Sequence, residues 1–289
     1  MTLQKQTLFV LPLLLATSLN PWPSSKPIPD PLPSASTVSA TDSTLPYFPK
    51  LVVAIGESSR KVNKPSTPAM PRIKMNSSAK TFVTSFLKKN REDLEETAVR
   101  GKALFPVMEA IFAKHNLPKE LKYLAVVESD LKLKARSHAG AVGYWQLMKG
   151  TAKELGLAVS GKTDERKQLR KSTGAAAKYL SALYKNYQDW LLVIAAYNAG
   201  PGVVNKAIKK AGSRNFWRLQ TYLPAETRGH VKRYIAIHYF FENAVGETTL
   251  TKGERLAYEK ELEKFTKLVA EQTAVADSTQ PSLALPEIR

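Results

Sequence analysis

Glu128 stands on a helical stripe otherwise made of leucines. In the run from Leu117 to Leu131 the apolar residues Leu117, Leu121, Leu124 and Leu131 recur at three- and four-residue steps, and Glu128 falls on the same face. A carboxyl group drawn away from water holds its proton to higher pH, which is what a general acid needs at neutral pH. The competing reading is a helix-end glutamate that turns out to water or pairs with one of the nearby lysines. The rival carboxylate in the run is Asp130, two residues on. That offset points it to another face, with Tyr123 and Val126, so the sequence predicts a structural or solvent-facing aspartate there.

Two further strings follow within the next eighty or so residues: GAVGYWQLM from Gly140 to Met148, and AAYNAGPG from Ala195 to Gly202. With Glu128-Ser129 they make three motifs in order, and together these resemble the lysozyme-like lytic transglycosylases. The flanking stretches LPKELKYLAVVES, DERKQLRKSTGAAAKYL and FWRLQTYLPAETRGHV are similar to the membrane-bound lytic murein transglycosylase D branch. The resemblance spans roughly residues 78–246.

The resemblance implies a goose-type lysozyme/transglycosylase helical domain that cleaves the β-1,4 bond between N-acetylmuramic acid and N-acetylglucosamine without water, leaving 1,6-anhydromuramic ends. Glu128 would be the single acid and base. Ser129, Gly143, Gln146, Met148, Tyr197, Asn198, Ala199 and His230 would bind the substrate or hold the site, with Gly140 and Gly143 as turns that let the backbone approach the sugar chain. Core packing is the competing reading for Met148, and a neighbouring carbonyl is the competing partner for Tyr197 and Asn198. The chain departs from the family pattern at Tyr144 and Lys149, and more seriously at His230, where many relatives have a tyrosine, with Lys232 following where proline is frequent. Tyr234, one turn on, is a partial substitute. A hydrolytic muramidase on the same fold and a non-catalytic glycan-binding envelope protein are the alternatives. The family uses no cofactor and no metal, and His115 and His138 are not arranged with carboxylates as a metal site requires.

Composition sets outer bounds. The chain has 289 residues, enough for one sizeable domain with flexible ends. Lys5 precedes the apolar run Leu8 to Leu15, and Ala16-Thr17-Ser18 offers small residues for cleavage, so residues 1–19 read as an export signal. Zero cysteines exclude disulfides, thiolate metal sites, a cysteine nucleophile and the lipid-attachment cysteine of many relatives. The expectation is a monomer in the periplasm, loosely associated with the envelope and without a lipid anchor. A net charge of +18 fits an anionic envelope polymer, with peptidoglycan glycan strands as the partner; no nucleic-acid motif accompanies it. Plain solubility explains the charge equally well.

Residues 20–75 are rich in proline, serine and threonine and read as a disordered linker containing one strand-like island, Leu51 to Ile55. From 76 to 246 the pattern is helical, with a motif core of about 116–235, and the predicted class is mainly α. Phe82, Phe86 and Leu87 begin one amphipathic pattern. Val107, Met108, Ile111 and Phe112 form a second, opened by Pro106, and Pro118 opens the Glu128 helix in the same way. Thr151 and Glu154 fit a capping box for a short helix ending near Gly156. Tyr179, Leu180, Leu183, Tyr184 and Tyr187 mark a further face. Trp190 to Ala196 is apolar on all sides and reads as an enclosed helix stopped by Gly200 and Pro201. The last long helix is expected from about Thr227 to Val245, and residues 247–289 as a charged, partly helical tail that fades into a polar end.

Overall fold

A computed structural model describes residues 70–278. The expected export signal, most of the expected linker with its Leu51 to Ile55 island, and the final residues of the tail lie outside that range. Within it the architecture is helical, and the only β pairing is three isolated bridges, Arg136 with Val142, Val142 with Leu147, and Val159 with Asp164. The mainly α class agrees with expectation. None of the described helices is long and apolar enough to cross a membrane.

The helices are α1 (Ser77–Lys114), α2 (Tyr123–Ser129), α3 (Lys149–Glu154), α4 (Leu169–Tyr187), α5 (Trp190–Ala199), α6 (Pro201–Ala211), α7 (Phe216–Leu219), α8 (Ala225–Glu242) and α9 (Lys252–Ser278). The centre is α5. Every residue from Trp190 to Ala196 is at most 3% exposed, because α4, α6 and α8 all pack on it. A helix apolar all round has no face to give to water, so it must be enclosed. Gly200, at φ 82°, ends α5, and Pro201 starts α6 at a position where its missing N–H costs nothing. Asp189 caps α5 by accepting from Leu192 N, and its second oxygen accepts from Lys252 N at 2.6 Å, so one carboxylate holds the starts of α5 and α9.

Four local expectations are corrected. Pro106 does not open a helix: it lies inside α1, and the break between the two amphipathic patterns is at Asn90 (φ −115°, ψ 17°). Thr151 is not a cap, because α3 begins at Lys149 with Met148 before it and no side-chain cap bond. The stripe around Glu128 is not one continuous helix. A 3-10 turn over Lys119–Lys122, entered from Pro118, leads into α2, and Asp130 and Leu131 both adopt left-handed φ (50° and 59°) that ends it. Leu131 is buried all the same. Finally, α8 is not the last long helix. After it Thr248, Thr249, Leu250 and Thr251 are buried, and α9 follows, started by the reciprocal pair in which Thr251 N donates to Glu254 and Glu254 N donates to the Thr251 hydroxyl.

Candidate active site

Glu128 occupies the last turn of α2, and its side chain is 13% exposed. It neither swings into water nor pairs with a lysine. Its Oε1 lies 2.9 Å from Nε2 of His230, a residue of α8 that is 1% exposed. With Glu128 ionised, Nε2 carries the proton and donates; with Glu128 protonated the roles reverse, and either state keeps the contact. Asp130 turns away from the site, with its side chain 55% exposed and paired to Lys132.

The second motif forms a compact loop beneath Glu128. The Ser129 hydroxyl is 3.0 Å from the Ala125 carbonyl and 2.9 Å from the Tyr144 carbonyl, so it ties α2 to this loop and has no proton left for a substrate. Trp145 is fully buried and donates from its indole N–H to Thr173 on α4. Gln146, at φ 45°, donates its amide to the Ala135 and Gly143 carbonyls, so only its amide oxygen remains for a ligand. Met148 is half-buried and does not join the core cluster, which disfavours the packing reading.

Gly143 is needed for a reason other than sugar contact. At φ 81° a Cβ would lie 2.4 Å from the Arg166 carbonyl oxygen, so the close approach is protein against protein. Gly140 also has positive φ, 87°, but open space around it. Arg166 itself is the organiser that sequence reasoning missed. Only 6% exposed, it donates to the Gly140 and Leu147 carbonyls at 3.0 Å each while forming a two-pronged pair with Asp164. That guanidinium holds the Asp164 carboxyl below its ordinary range, against the opposing effect of burial. The signal was present as Asp164 and Arg166 two residues apart, but nothing local indicated which carbonyls the arginine would reach.

The third motif closes the other side. The Tyr197 hydroxyl donates to the Trp145 carbonyl at 2.8 Å, and burial pushes its phenol well above 10, with the nearby negative charge of Glu128 adding to the effect. Asn198 accepts from the Thr227 hydroxyl at 2.8 Å, which ties α5 to α8. Ala199 is half-buried at the end of α5. Tyr234 does not stand in for the missing tyrosine: it is fully buried, and its hydroxyl reaches the Glu120 carbonyl and Thr248 instead.

Two residues were not anticipated. Glu226 and Arg233 lie on α8 at four- and three-residue steps from His230, so the three side chains share one helix face. Burial raises the Glu226 carboxyl above its ordinary range, with Arg233 and then His230 acting against that. Burial lowers Arg233, opposed by the charges of Glu128 and Glu226. The spacing was visible in the sequence; without knowing that α8 faces Glu128 it carried no meaning. No group of three or more metal-ligating side chains occurs among the described residues.

Residues 106–220 match the family described as the transglycosylase SLT domain. Membrane-bound lytic murein transglycosylase D of Escherichia coli (strain K12) is 35% identical over 161 residues, covering 54% of this chain and 35% of that protein. A putative tributyltin chloride resistance protein of Alteromonas sp. (strain M-1) is 41% identical over 96 residues, covering 33% of this chain and 46% of that protein. The chain thus spans about a third of the length of the transglycosylase D relative and under half of the other. Among solved structures, the 70-kDa soluble lytic transglycosylase in complex with bulgecin A is 21% identical, covering 60% of this chain and 32% of that one, with a TM-score of 0.47. An inactive E503Q mutant of lytic transglycosylase Slt from Pseudomonas aeruginosa is 24% identical, covering 50% and 25%, with a TM-score of 0.43. The site residues Glu128 to Ala199 all fall inside the SLT segment, while Glu226, His230 and Arg233 lie beyond its end.

Proposed function

We propose that this protein is a peptidoglycan lytic transglycosylase acting in the periplasm or cell envelope, with Glu128 as its only proton-transferring residue. The observation that carries this reading is the pairing of Glu128 with His230 at 2.9 Å, at the end of a helix that Ser129 ties to the Tyr144 carbonyl and with Tyr197 of α5 close enough to feel the Glu128 charge. Glu128 protonates the glycosidic oxygen as the bond from the muramic anomeric carbon breaks, and the muramic acetamido group assists at that carbon. The carboxylate left behind then takes the proton of the C6 hydroxyl while its oxygen bonds to the anomeric carbon, closing a 1,6-anhydro ring. Glu128 returns to its starting state and no water is consumed. His230 partners the glutamate in both protonation states, so it orients the carboxyl throughout the cycle.

Hydrolysis is the second reading, and Glu226 is the observation in its favour, since glycosidases ordinarily use two carboxylates. Against it, the Glu128 carboxyl has the histidine partner that holds it in place, whereas Glu226 leaves one carboxyl oxygen without a hydrogen-bond partner. Digestion of purified sacculi, followed by borohydride treatment and mass spectrometry, separates the two. Ends that resist reduction are expected; reducible ends would establish a muramidase. Glu128→Gln should keep binding to sacculi and lose clearing, and undiminished clearing by that variant would remove Glu128 from the reaction.

A further inference from the structure

Unpartnered polar atoms are concentrated at one place in this fold. Among the described residues five buried side-chain nitrogen or oxygen atoms lack a hydrogen-bond partner, and four of them belong to the α8 face beside Glu128: Glu226 Oε1, His230 Nδ1, and Nε and Nη2 of Arg233. Buried polar groups are nearly always satisfied, so such a cluster marks a place where a partner arrives from outside. The two arginine atoms are the informative pair. Nε–H and Nη2–H lie on the same edge of the planar guanidinium and point in parallel, which is the side-on fork that receives both oxygens of a carboxylate.

The rest of the arginine is already placed. Its Nη1 packs over Gly229, 3.4 Å from where a Cβ would stand, so the fork edge is the free one. Glu128 and Glu226 are near enough for their charges to act on Arg233, yet neither forms an ion pair with it among the described residues. A buried cation without a bonded anion is costly, and a ligand carboxylate relieves that cost on binding. A neutral sugar hydroxyl or amide carbonyl would satisfy one prong and leave the other.

We infer that the Nε/Nη2 edge of Arg233 is a carboxylate anchor for the lactyl arm of the muramic residue bound at Glu128, which makes Arg233 a specificity-determining residue. This rests on the proposed action on peptidoglycan. The carboxylate has two sources on that polymer: the lactyl group itself, free on strands stripped of peptide, or an α-carboxylate early in an attached stem peptide. Arg233 is close enough to Glu128 to feel its charge, which suits the short lactyl arm of the sugar bound there, so peptide-free strands are the preferred substrate.

The test compares wild-type protein with Arg233→Gln and Arg233→Lys on three preparations: peptide-free glycan strands, the same strands with lactyl carboxylates capped as methylamides, and peptide-bearing strands. Product release is followed by chromatography, and binding is measured separately by calorimetry in a Glu128→Gln background. Wild-type kcat/KM should be about 10- to 100-fold higher on the free-acid strands than on the capped ones, the range for a charge-assisted two-pronged contact. Arg233→Gln should erase that preference through KM, leaving the capped substrate within about twofold. Arg233→Lys keeps the charge but loses the fork and should fall between. Higher wild-type activity on peptide-bearing strands than on free-acid strands, still dependent on Arg233, would move the anchor to the stem peptide. Equal loss on free-acid and capped strands would overturn the inference, since it would mean that Arg233 serves the fold or pairs with Glu226. Arg233-dependent binding of free-acid strands with no product from wild-type protein would instead sink the enzymatic reading and leave the anchor standing.

Discussion

Replacing His230 by leucine tests the central contact of the site. The ring is 1% exposed, its Nδ1 has no partner, and its Nε2 meets Glu128 at 2.9 Å, so that bond is the only polar interaction the substitution deletes among the described residues. A hydrogen bond to a charged group contributes about 1.5–3 kcal/mol. The Glu128 side chain keeps 13% exposure, which lets water replace part of the lost bond and places the effect at the lower end, about 1.5–2 kcal/mol. If that energy is spent on holding the carboxyl in line, kcat falls by about 10- to 30-fold, with KM nearly unchanged. His230→Gln supplies an amide N–H at about the reach of Nε2 and should recover most of the rate. The assay is release of soluble fragments from sacculi at saturating substrate, with thermal unfolding run alongside to exclude loss of fold. A leucine variant within twofold of wild type, or a glutamine variant no better than leucine, would refute the idea that His230 positions Glu128.

Two other perturbations follow from the geometry. Gly143→Ala forces a Cβ to 2.4 Å from the Arg166 carbonyl oxygen at φ 81°, and should cost at least about 2 kcal/mol, lowering Tm by several degrees; Gly140→Ala, with open space at φ 87°, should cost roughly half as much. His238 is buried, and desolvation depresses its imidazole from 6.5 to about 4, so the unfolded chain takes up a proton first as the pH falls. Stability from this group is intact above about pH 6.5 and is lost progressively toward about pH 4, by about 3 kcal/mol in all. Glu120, Asp189 and Glu226, raised by burial, act in the opposite sense and favour the folded state as the pH falls. The difference between wild type and His238→Gln in urea melts from pH 7 to 4 therefore isolates the histidine. Parallel curves would refute it.

The helical class, the enclosed helix from Trp190 to Ala196 and the unusual position of Glu128 were legible in the sequence, because each depends on a periodic pattern within a single segment. Of the three motifs, Ser129 is tied to the Tyr144 carbonyl and Tyr197 to the Trp145 carbonyl, while the partner of Glu128, His230, lies outside them. Local pattern misled where a signal had two physical outcomes. Pro106 can open a helix or sit within one when packing holds the helix together, and the long α1 took the second course. Thr151 followed by Glu154 fits a capping box, but the chain had already entered the helix two residues earlier. Gly143 read as a place for substrate approach, while the backbone that approaches is that of Arg166.

What tertiary structure alone decided is the partnership across elements. Glu128 and His230 are 102 residues apart, and which face of α8 meets α2 depends on how α8 also packs against α1 and α5. The sequence by itself determined that an acidic group would interrupt a buried stripe and that His230 would lie on a late helix; that Glu226 and Arg233 share its face came from the structure. Nor did the sequence determine that the face and the acid would meet. Hydrophobic periodicity specifies which side of a helix turns inward, whereas the choice of neighbour there is settled by the packing of the whole core.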